Sequence, residues 1–350
     1  MKDMPNLDFL RSIAVLSVVV SHVMIALSVA QIGVWSVGWL GVFGVLIFFV
    51  HTSLVLMWSL ERRPHTLDFY IRRIFRIYPL SITAVLVAVV TRWPLSPPPG
   101  LVFEFYHRSA GLRAILFSLL LVQDLHGGNT IMGVLWTLPH EVEMYVLLPF
   151  LFFFVRKNFS LWPLLLVWVL AADYLCNAAN NMYLFPVAIP HFLAGVMAYI
   201  GFRKWKPVLP MWSLGILLAV LLLGYTARPG WVSGIFVTLP LGLMLPLFRQ
   251  IRTSWIAETS KQIAKYSYGI YIVHPFCLVV CFYFLAGKPI WMQVGLFIVL
   301  LTVLVWLAYH CIEKPMIDLG KKVAERAEKR FEQFELKHFS EIEDVRGSYS

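Results

Sequence analysis

The chain has 350 residues, of which 59% are hydrophobic and 14% are charged, and its mean hydropathy is +0.76. A soluble globular domain does not contain so large an apolar fraction, so the composition excludes one and predicts an all-α membrane protein with many spanning helices. The net charge of +10 would fit a nucleic-acid-binding protein, but the basic residues concentrate on one side of the predicted membrane, and we therefore expect no nucleic acid partner.

Ten apolar segments are long enough to cross the hydrocarbon core of a bilayer, which predicts a polytopic bundle of about ten transmembrane helices. Their approximate limits are 7–30, 37–60, 75–92, 134–155, 161–178, 184–202, 209–227, 231–249, 266–286 and 290–312. A shorter apolar run at 112–125 is predicted to form a re-entrant or interfacial helix within the long connection 93–133.

Lysine and arginine residues are distributed unevenly between the two sides of this bundle. If the N-terminus is cytoplasmic, five of the 29 basic residues lie on the outer side: Arg92, Arg108, Arg113, Arg228 and Lys288. The positive-inside rule therefore predicts that both the N- and C-termini are cytoplasmic. We expect a transmembrane domain at 1–320 and a charged cytoplasmic tail at 321–350, where alternating charges favour a solvated helix that frays toward its end.

The first spanning segment contains two ionisable residues, Arg11 and His22. Eleven residues at about 100° each complete almost three helical turns, so both side chains lie on one face, about 16 Å apart along the axis. Ionisable groups inside a bilayer usually line functional cavities, and histidine transfers protons near neutral pH. The pair predicts a catalytic site, although an arginine that reaches the membrane surface and a hydrogen-bonded histidine would give the same pattern.

The segment that leads into the third span, residues 69–79, contains Arg72, Arg73 and Arg76 but no lysine. Arg73 and Arg76 are neighbours on one helix face, and arginine binds phosphate groups through two parallel hydrogen bonds. The aromatic residues between them can stack on a flat ring. The segment therefore predicts a site for a phosphorylated, nucleotide-bearing cosubstrate from the cytoplasm; the alternative is an ordinary positive-inside cluster.

Three polar residues interrupt the fourth span: His140, Glu141 and Glu143. A zinc motif would need a second histidine at position 144, where the chain has Met144, so we expect no metal site. Glu141 and His22 fall at similar depths in the outer half of the membrane, so this carboxylate and imidazole can meet. A glutamate that only caps or pairs structurally is the alternative.

Four more side chains are candidates to line a substrate cavity: His51, His140, Tyr271 and His274. The last of these precedes Pro275, which should kink the ninth span. A single buried histidine is more often a hydrogen-bonded packing residue, so each histidine has that structural alternative. Glu313, followed by lysine and proline, is interpreted as a helix end with an ion pair.

Several short motifs, taken in their order and spacing, resemble the acyltransferase 3 family. They are Leu-Asp-Phe-Leu-Arg at 7–11 with the histidine at 22, Phe-Phe-Val at 48–50, Arg-Arg-Ile-Phe-Arg within 69–79, Trp-Thr-Leu at 136–138, Phe-Leu-Ala-Gly at 192–195 and Tyr-Gly-Ile-Tyr-Ile-Val-His at 268–274. Members of this family are integral membrane acyltransferases of bacterial polysaccharide sugars and some small molecules, with ten membrane helices. The chain departs from the family pattern at Leu46 and at 51–53, which concerns the acceptor more than the reaction.

The resemblance implies a role for each candidate in the motifs. Arg11 and His22 correspond to the family's essential arginine and histidine, Arg73 and Arg76 to paired arginines that contact acyl-coenzyme A, and Glu141 to its acidic position. With Arg72 beside the pair, we expect a membrane-bound O-acyltransferase in the bacterial inner membrane. His22 would serve as general base or acyl relay, Glu141 would fix its tautomer, and Arg11 would orient the donor.

The expected cosubstrate is acyl-coenzyme A, most simply acetyl-coenzyme A, with no permanently bound cofactor. The expected acceptor is a hydroxyl of a cell-surface or exopolysaccharide sugar or of its lipid-linked precursor. A small-molecule acceptor keeps the same chemistry. The alternative from another class is a transporter or flippase for a lipid-linked sugar, which would show paired discontinuous helices and an internal repeat; the sequence shows neither.

Overall fold

The computed structural model describes residues 4–33, 35–91, 111–126, 130–157, 160–178 and 185–347. Twelve α-helices make up most of this part of the chain: α1 (Pro5–Ala26), α2 (Gly38–Arg62), α3 (Thr66–Val90), α4 (Leu112–Leu120), α5 (Leu138–Val155), α6 (Leu161–Ala178), α7 (Phe185–Lys204), α8 (Ser213–Ala227), α9 (Trp231–Met244), α10 (Ser254–Leu278), α11 (Ile290–Ala308) and α12 (Lys314–Gly347). A two-residue antiparallel hairpin, β1 (Gln31–Ile32) and β2 (Trp35–Ser36), joins α1 to α2.

Shorter helical turns extend several of these helices. Three are 3₁₀ turns and two are π-helical turns: Gln123–His126, Gly133–Thr137, Leu245–Leu247, Val279–Tyr283 and Tyr309–Glu313. The first π turn follows Pro275, which has no backbone N–H and so interrupts the hydrogen-bond ladder of α10. The second joins α11 to α12 without a break, so that one helix runs from 290 to 347.

Six helices in the described part of the chain are long and apolar enough to cross a membrane. They are Pro5–Ala26, Gly38–Arg62, Thr66–Val90, Gly133–Val155, Ser254–Tyr283 and Ile290–Arg330, and three shorter apolar helices lie at Leu161–Asn177, Ser213–Ala227 and Trp231–Leu247. The prediction of an all-α membrane protein is therefore confirmed. Each of the ten predicted spans overlaps a helix, while the number ten and the sidedness of the termini stay predictions.

The boundaries of some predicted segments differ from the helices. α3 begins at Thr66 and α10 at Ser254, each more than two turns before the predicted span, because polar residues continue the helix beyond its apolar part. The predicted interfacial helix at 112–125 is shorter: α4 ends at Leu120, and Leu121 has a left-handed backbone with φ of 56°. Apolar length thus located the helices but not their polar ends.

The second helix, α2, lies at the centre of the bundle and packs against α1, α5, α7 and α9. Small residues allow the closest of these approaches. A Cβ atom on Gly44 would lie 2.4 Å from the carbonyl oxygen of Ala14 in α1, and one on Gly195 of α7 would lie 2.2 Å from that of Val50. Because lipid supplies little hydrophobic driving force between membrane helices, such close backbone packing is a main source of their association.

Replacing Gly195 by alanine is expected to destabilise the fold by about 1–3 kcal/mol, because α7 must move away from the backbone of α2. The matched control is Gly224→Ala in α8, where an added Cβ would meet nothing within 4 Å. Thermal unfolding in detergent compares the two variants. An unfolding temperature that falls equally in both would contradict the role given to this helix contact.

The first part of α12 packs along α3 rather than standing free in solvent. A Cβ atom on Gly320 would lie 2.5 Å from the Cβ of Phe75, and further along the Nη2 of Arg72 lies 3.6 Å from Oε1 of Glu325. His65 and Glu328 form a second contact of 3.2 Å. The helix therefore continues through the predicted boundary between residues 320 and 321 and docks beside the arginine-rich end of α3.

Candidate functional site

The N-terminal end of α1 is fixed by hydrogen bonds to the segment that precedes α10 and to α10 itself. The side chain of Asn6 donates to the carbonyl of Arg249 at 3.1 Å and accepts from the backbone N–H of Ile251 at 2.9 Å. Six residues later the hydroxyl of Ser12 donates to the carbonyl of Ser260 at 2.8 Å. These bonds set the rotation of α1 and thereby the direction in which Arg11 points.

Three of the predicted arginines meet in one cavity, which we call the arginine cavity. It encloses about 440 Å³, including space open to solvent, and its lining residues come from α1, α2, α3, α5 and α10: Arg11, Phe48, His51, Thr52, Val55, Leu56, Arg73, Arg76, Ile77, Glu141, Tyr145 and Tyr268. The hydroxyl of Tyr268 donates to the carbonyl of Ile77 at 2.6 Å, which ties α10 to α3 next to Arg76. Arg11 and Tyr268, which are 257 positions apart in the chain, are thus brought into one site.

The arginines in this cavity are only partly paired. The Nε atoms of Arg11 and Arg73 are buried and have no hydrogen-bond partner among the described residues. Their guanidinium groups lie 5.6 Å and 5.8 Å from the ring centres of Phe48 and Phe69. Buried donors without partners are costly, so the cavity is suited to bind an anion such as phosphate.

Glu141 lies among these arginines as the acidic member of the cavity. Its carboxylate accepts a short hydrogen bond from the hydroxyl of Tyr145, one turn later in α5, and interacts electrostatically with Arg11, Arg73 and Arg76. The bond with the tyrosine leaves the carboxylate anchored to its own helix. The structure therefore places Glu141 at the wall of the arginine cavity, where it balances positive charge.

Arg72 points away from the arginine cavity. Its Nε donates to both carboxylate oxygens of Asp68, at 2.8 Å and 2.9 Å, one turn earlier in α3. The same side chain approaches Glu325 of α12. Its position is explained by these ion pairs, which hold α12 against α3, whereas Arg73 and Arg76 line the cavity.

A second, mostly apolar cavity adjoins the first and encloses about 460 Å³. We call it the apolar cavity, and its lining residues are Ala14, Val15, Val18, Gly44, Val45, Phe48, Phe49, Thr137, Leu138, Glu141, Tyr268 and Tyr271. Phe48, Glu141 and Tyr268 line both cavities. The two cavities are therefore adjacent along α1, from Arg11 to Val18, and Val18 lies one turn before His22.

His22 and His274 lie together one turn beyond Val18, and neither is among the residues that line the two cavities. Nδ1 of His22 is 2.8 Å from Nε2 of His274, and the two rings lie nearly parallel, with a 14° angle between their planes. Tyr271, which lines the apolar cavity, has its ring 6.2 Å from that of His274. The sequence singled out both histidines separately, but not as a pair.

The hydrogen bonds of this pair determine where its protons lie. Nδ1 of His274 is 3.0 Å from the carbonyl oxygen of Ile270, which can only accept, so this nitrogen carries the hydrogen. In a neutral ring Nε2 of His274 then accepts, and Nδ1 of His22 donates to it. Nε2 of His22 consequently carries the lone pair, which gives this histidine the form that a general base needs.

The other cavity candidates take different places. His51 is buried in the wall of the arginine cavity, with its ring 6.2 Å from that of Phe48. The hydroxyl of Tyr271 donates to the carbonyl of Val134 at 2.6 Å, and Thr137 lies at 2.8 Å from it, so this side chain is fixed in the wall of the apolar cavity. His140 lines neither cavity and contacts Glu143 at 3.5 Å.

An acidic pair accompanies His140. Burial raises the pKa of Asp124, in the turn Gln123–His126, to about 6, and the neighbouring carboxyl group of Glu143 adds to the effect. Close by, the indole rings of Trp136 and Trp231 meet edge to face at 5.5 Å. Asp124, Glu143 and the two indole rings thus form a separate group that does not line the arginine cavity. Glu143 is not in that cavity because it faces a different side of α5 from Glu141.

The structure places Glu313 differently from the interpretation of the sequence. Instead of a helix end with an ion pair, it lies within a continuous helix, is 1% exposed and has no hydrogen-bond partner for either carboxylate oxygen among the described residues. It interacts electrostatically with Arg76 and Arg11. The signal available in the sequence was an acid at the end of an otherwise apolar span, which alone also fits a surface residue.

Sequence comparison with known proteins finds a matching family model and similar proteins. The family model for the Acyl_transf_3 acyltransferase domain matches residues 4–310. Acyltransferase MdmB of Streptomyces mycarofaciens is 29% identical over 250 residues, which are 66% of this chain and 60% of that protein. Nodulation protein 10 of Rhizobium leguminosarum bv. viciae is 24% identical over 300 residues, which are 77% of this chain and 81% of that protein.

The chain thus spans less than two thirds of the length of the first of these relatives. No solved structure matches it significantly. The family model, however, covers all of the residues that line the two cavities and both members of the histidine pair. The chain belongs to the acyltransferase 3 family.

Proposed function

We propose that this protein transfers an acyl group from acyl-coenzyme A to a hydroxyl group of an acceptor. The observations that carry the proposal are the cavity lined by three arginines, the apolar cavity adjacent to it, and the His22–His274 pair one turn beyond Val18; we take them as one path along α1. The arginines bind the coenzyme phosphates, and the thin pantetheine arm follows the path along α1. That path is about 16 Å long, since Arg11 and His22 are eleven residues apart at 1.5 Å each.

The chemistry follows from the tautomer of His22. Its Nε2 takes the proton of the acceptor hydroxyl while the hydroxyl oxygen attacks the thioester carbonyl carbon. The C–O bond of the ester forms, the C–S bond breaks, and the sulfur leaves with the electron pair and receives the proton from His22. His274 keeps Nδ1 of His22 as a donor throughout, so the lone pair stays on Nε2, the nitrogen that accepts the proton.

The proposed acceptor is a sugar hydroxyl of a surface polysaccharide or its lipid-linked precursor, and the proposed acyl group is acetyl. The carboxyl groups and indole rings around Trp136 and Trp231 support a carbohydrate, because aromatic faces and hydrogen-bonding acids suit sugar rings. A small-molecule hydroxyl would need the same base. Mass spectrometry of glycan and of small-molecule extracts from cells with and without the protein separates these two acceptors.

The proposed setting is a bacterial inner membrane, with ten spans and both termini in the cytoplasm. This orientation brings the arginine cavity to the side where acyl-coenzyme A is made. Basic residues exposed at the same end, together with α12 docked on α3, support it. Cysteine labelling from either side of sealed vesicles, at single positions in α12 and in the hairpin between α1 and α2, tests the topology.

The arginine pair supplies the sharpest test of donor binding. We expect Arg73→Ala to raise the KM for acetyl-coenzyme A roughly 30-fold or more, because a buried charge-assisted phosphate contact is lost. Arg73→Lys retains the charge and should lose less. The matched control is Arg72→Ala, whose side chain is paired with Asp68 outside the cavity and should change this KM by less than about threefold.

Release of free thiol from purified protein with labelled acetyl-coenzyme A gives these constants. Equal effects of the two alanine variants would show that the arginines act only as membrane-surface charges. Absence of both thiol release and acetyl transfer in the wild-type protein, with its acceptor extract present, would contradict the proposed function itself.

A further inference from the structure

Glu313 is a buried acid that the proposed reaction does not use. Its side chain is 1% exposed, and neither oxygen accepts a hydrogen bond from a described residue. The backbone leaves room for it: a Cβ atom on Gly269 would lie 2.9 Å from Oε1 of Glu313. A carboxyl group that is buried without hydrogen-bond partners costs stability, which makes Glu313 a candidate for a role in function.

The π-helical turn Tyr309–Glu313 brings this carboxyl group to its position. A π turn inserts one residue into an α-helix and rotates everything that follows by about 100° relative to an uninterrupted helix. Without it, Glu313 would leave the interface with α10, and the face of α12 that contacts Phe75 would turn away from α3. π turns are frequent at functional sites for this reason.

The charges around Glu313 belong to the arginine cavity. It interacts electrostatically with Arg76 and Arg11, and these two arginines also repel each other. Tyr268, which lines both cavities, is influenced by the same carboxyl group. Glu313 lies against Gly269, the neighbour of Tyr268 in α10, and so interacts with the arginines from outside the space that the coenzyme would fill.

We propose that Glu313, as a carboxylate, limits the affinity of the arginine cavity for the coenzyme phosphates and so sets the rate at which spent coenzyme A leaves. This inference rests on the proposed function, because the spent coenzyme carries the same phosphates as the acylated donor. A negative charge near Arg11 and Arg76 reduces the positive electrostatic potential at the site where the phosphates bind.

Binding of coenzyme A to the purified full-length protein in detergent, measured by calorimetry together with steady-state turnover, tests the proposal. Glu313→Gln keeps the shape and removes the charge; we expect the Kd for coenzyme A to fall about tenfold, with a similar fall in kcat as release slows. Glu313→Asp keeps the charge on a shorter side chain and should bind like the wild type. Dephospho-coenzyme A, which has one phosphate fewer, should show a smaller gain in affinity.

A purely structural role predicts the opposite order, because the shorter aspartate would disturb packing more than the isosteric glutamine. Binding by Glu313→Gln that is unchanged or weaker, or equal shifts in both variants, would overturn the proposal. Should the glutamine variant not fold, Glu313→Met removes the charge at similar length and gives the same test. A wild-type protein that binds no coenzyme A would instead overturn the proposed function, and this inference with it.

Discussion

Replacing His22 by alanine is expected to lower the rate of acyl transfer by about 10²–10⁴-fold, which is the usual contribution of a well-placed general base. The KM for the acyl donor should change little, because the proposed binding site of the coenzyme phosphates is the arginine cavity lined by Arg11, Arg73 and Arg76, which His22 does not line. Transfer of labelled acetyl groups to the acceptor, at saturating donor, measures the effect. A loss of kcat with donor binding intact identifies a residue that acts in the chemical step.

A matched control is available in His65, which lies at the start of α3, has a side chain 53% exposed and contacts Glu328. His65→Ala removes a histidine of the same protein without touching either cavity, and its rate should stay within about twofold of the wild type. Thermal unfolding in detergent shows whether the alanine variants remain folded. Product formation by folded His22→Ala at the wild-type rate would refute the assignment of the base.

The membrane class and the residues of the arginine cavity could be predicted from the sequence for different reasons. Apolar length reports burial in lipid directly, so each predicted span overlaps a helix. The spacing of Arg73 and Arg76 reports helix geometry directly, and both side chains do line one cavity together with Arg11. Local periodicity thus predicts which face of a helix a residue occupies.

Periodicity does not predict which helices meet. Depth in the membrane made Glu141 the expected partner of His22, whereas the structure places Glu141 beside Tyr145 and the arginines and puts His274 at 2.8 Å from His22. The choice between them depends on the rotation of α5 and α10 about their axes. That rotation is set by contacts between residues far apart in the chain, such as Tyr268 with Ile77.

Glu313 and Arg72 also show that the sequence does not identify the partners of a side chain in space. The π turn that buries Glu313 has no sequence signature of its own, so an acid at the end of an apolar span looked like a surface residue. Arg72 belongs to the same motif as Arg73, but adjacent residues on a helix point about 100° apart, and an acid one turn earlier captures its side chain. Partners in space, more than residue type, decide these two roles.

The second large effect is expected at His274, which we assign as the positioning residue for the base. In His274→Leu the Nδ1–H of His22 loses its acceptor, so the tautomer with the lone pair on Nε2 is no longer fixed, and we expect kcat to fall by about 10²-fold or more. In His274→Gln the amide oxygen lies near the former position of Nε2 and can still accept this hydrogen. The glutamine variant should therefore recover a substantial part of the rate.

A structural role alone would predict that leucine, which suits a buried position, is tolerated better than glutamine. His65→Leu is the control, since His65 contacts Glu328 at the start of α3 and lines neither cavity. Nitrogen NMR of isotopically labelled histidine distinguishes Nδ1–H from Nε2–H and so follows the tautomer of His22 independently of turnover. If that signal and kcat were the same in the wild type and in His274→Leu, the hydrogen-bonded chain from Ile270 through His274 to His22 would have no part in catalysis.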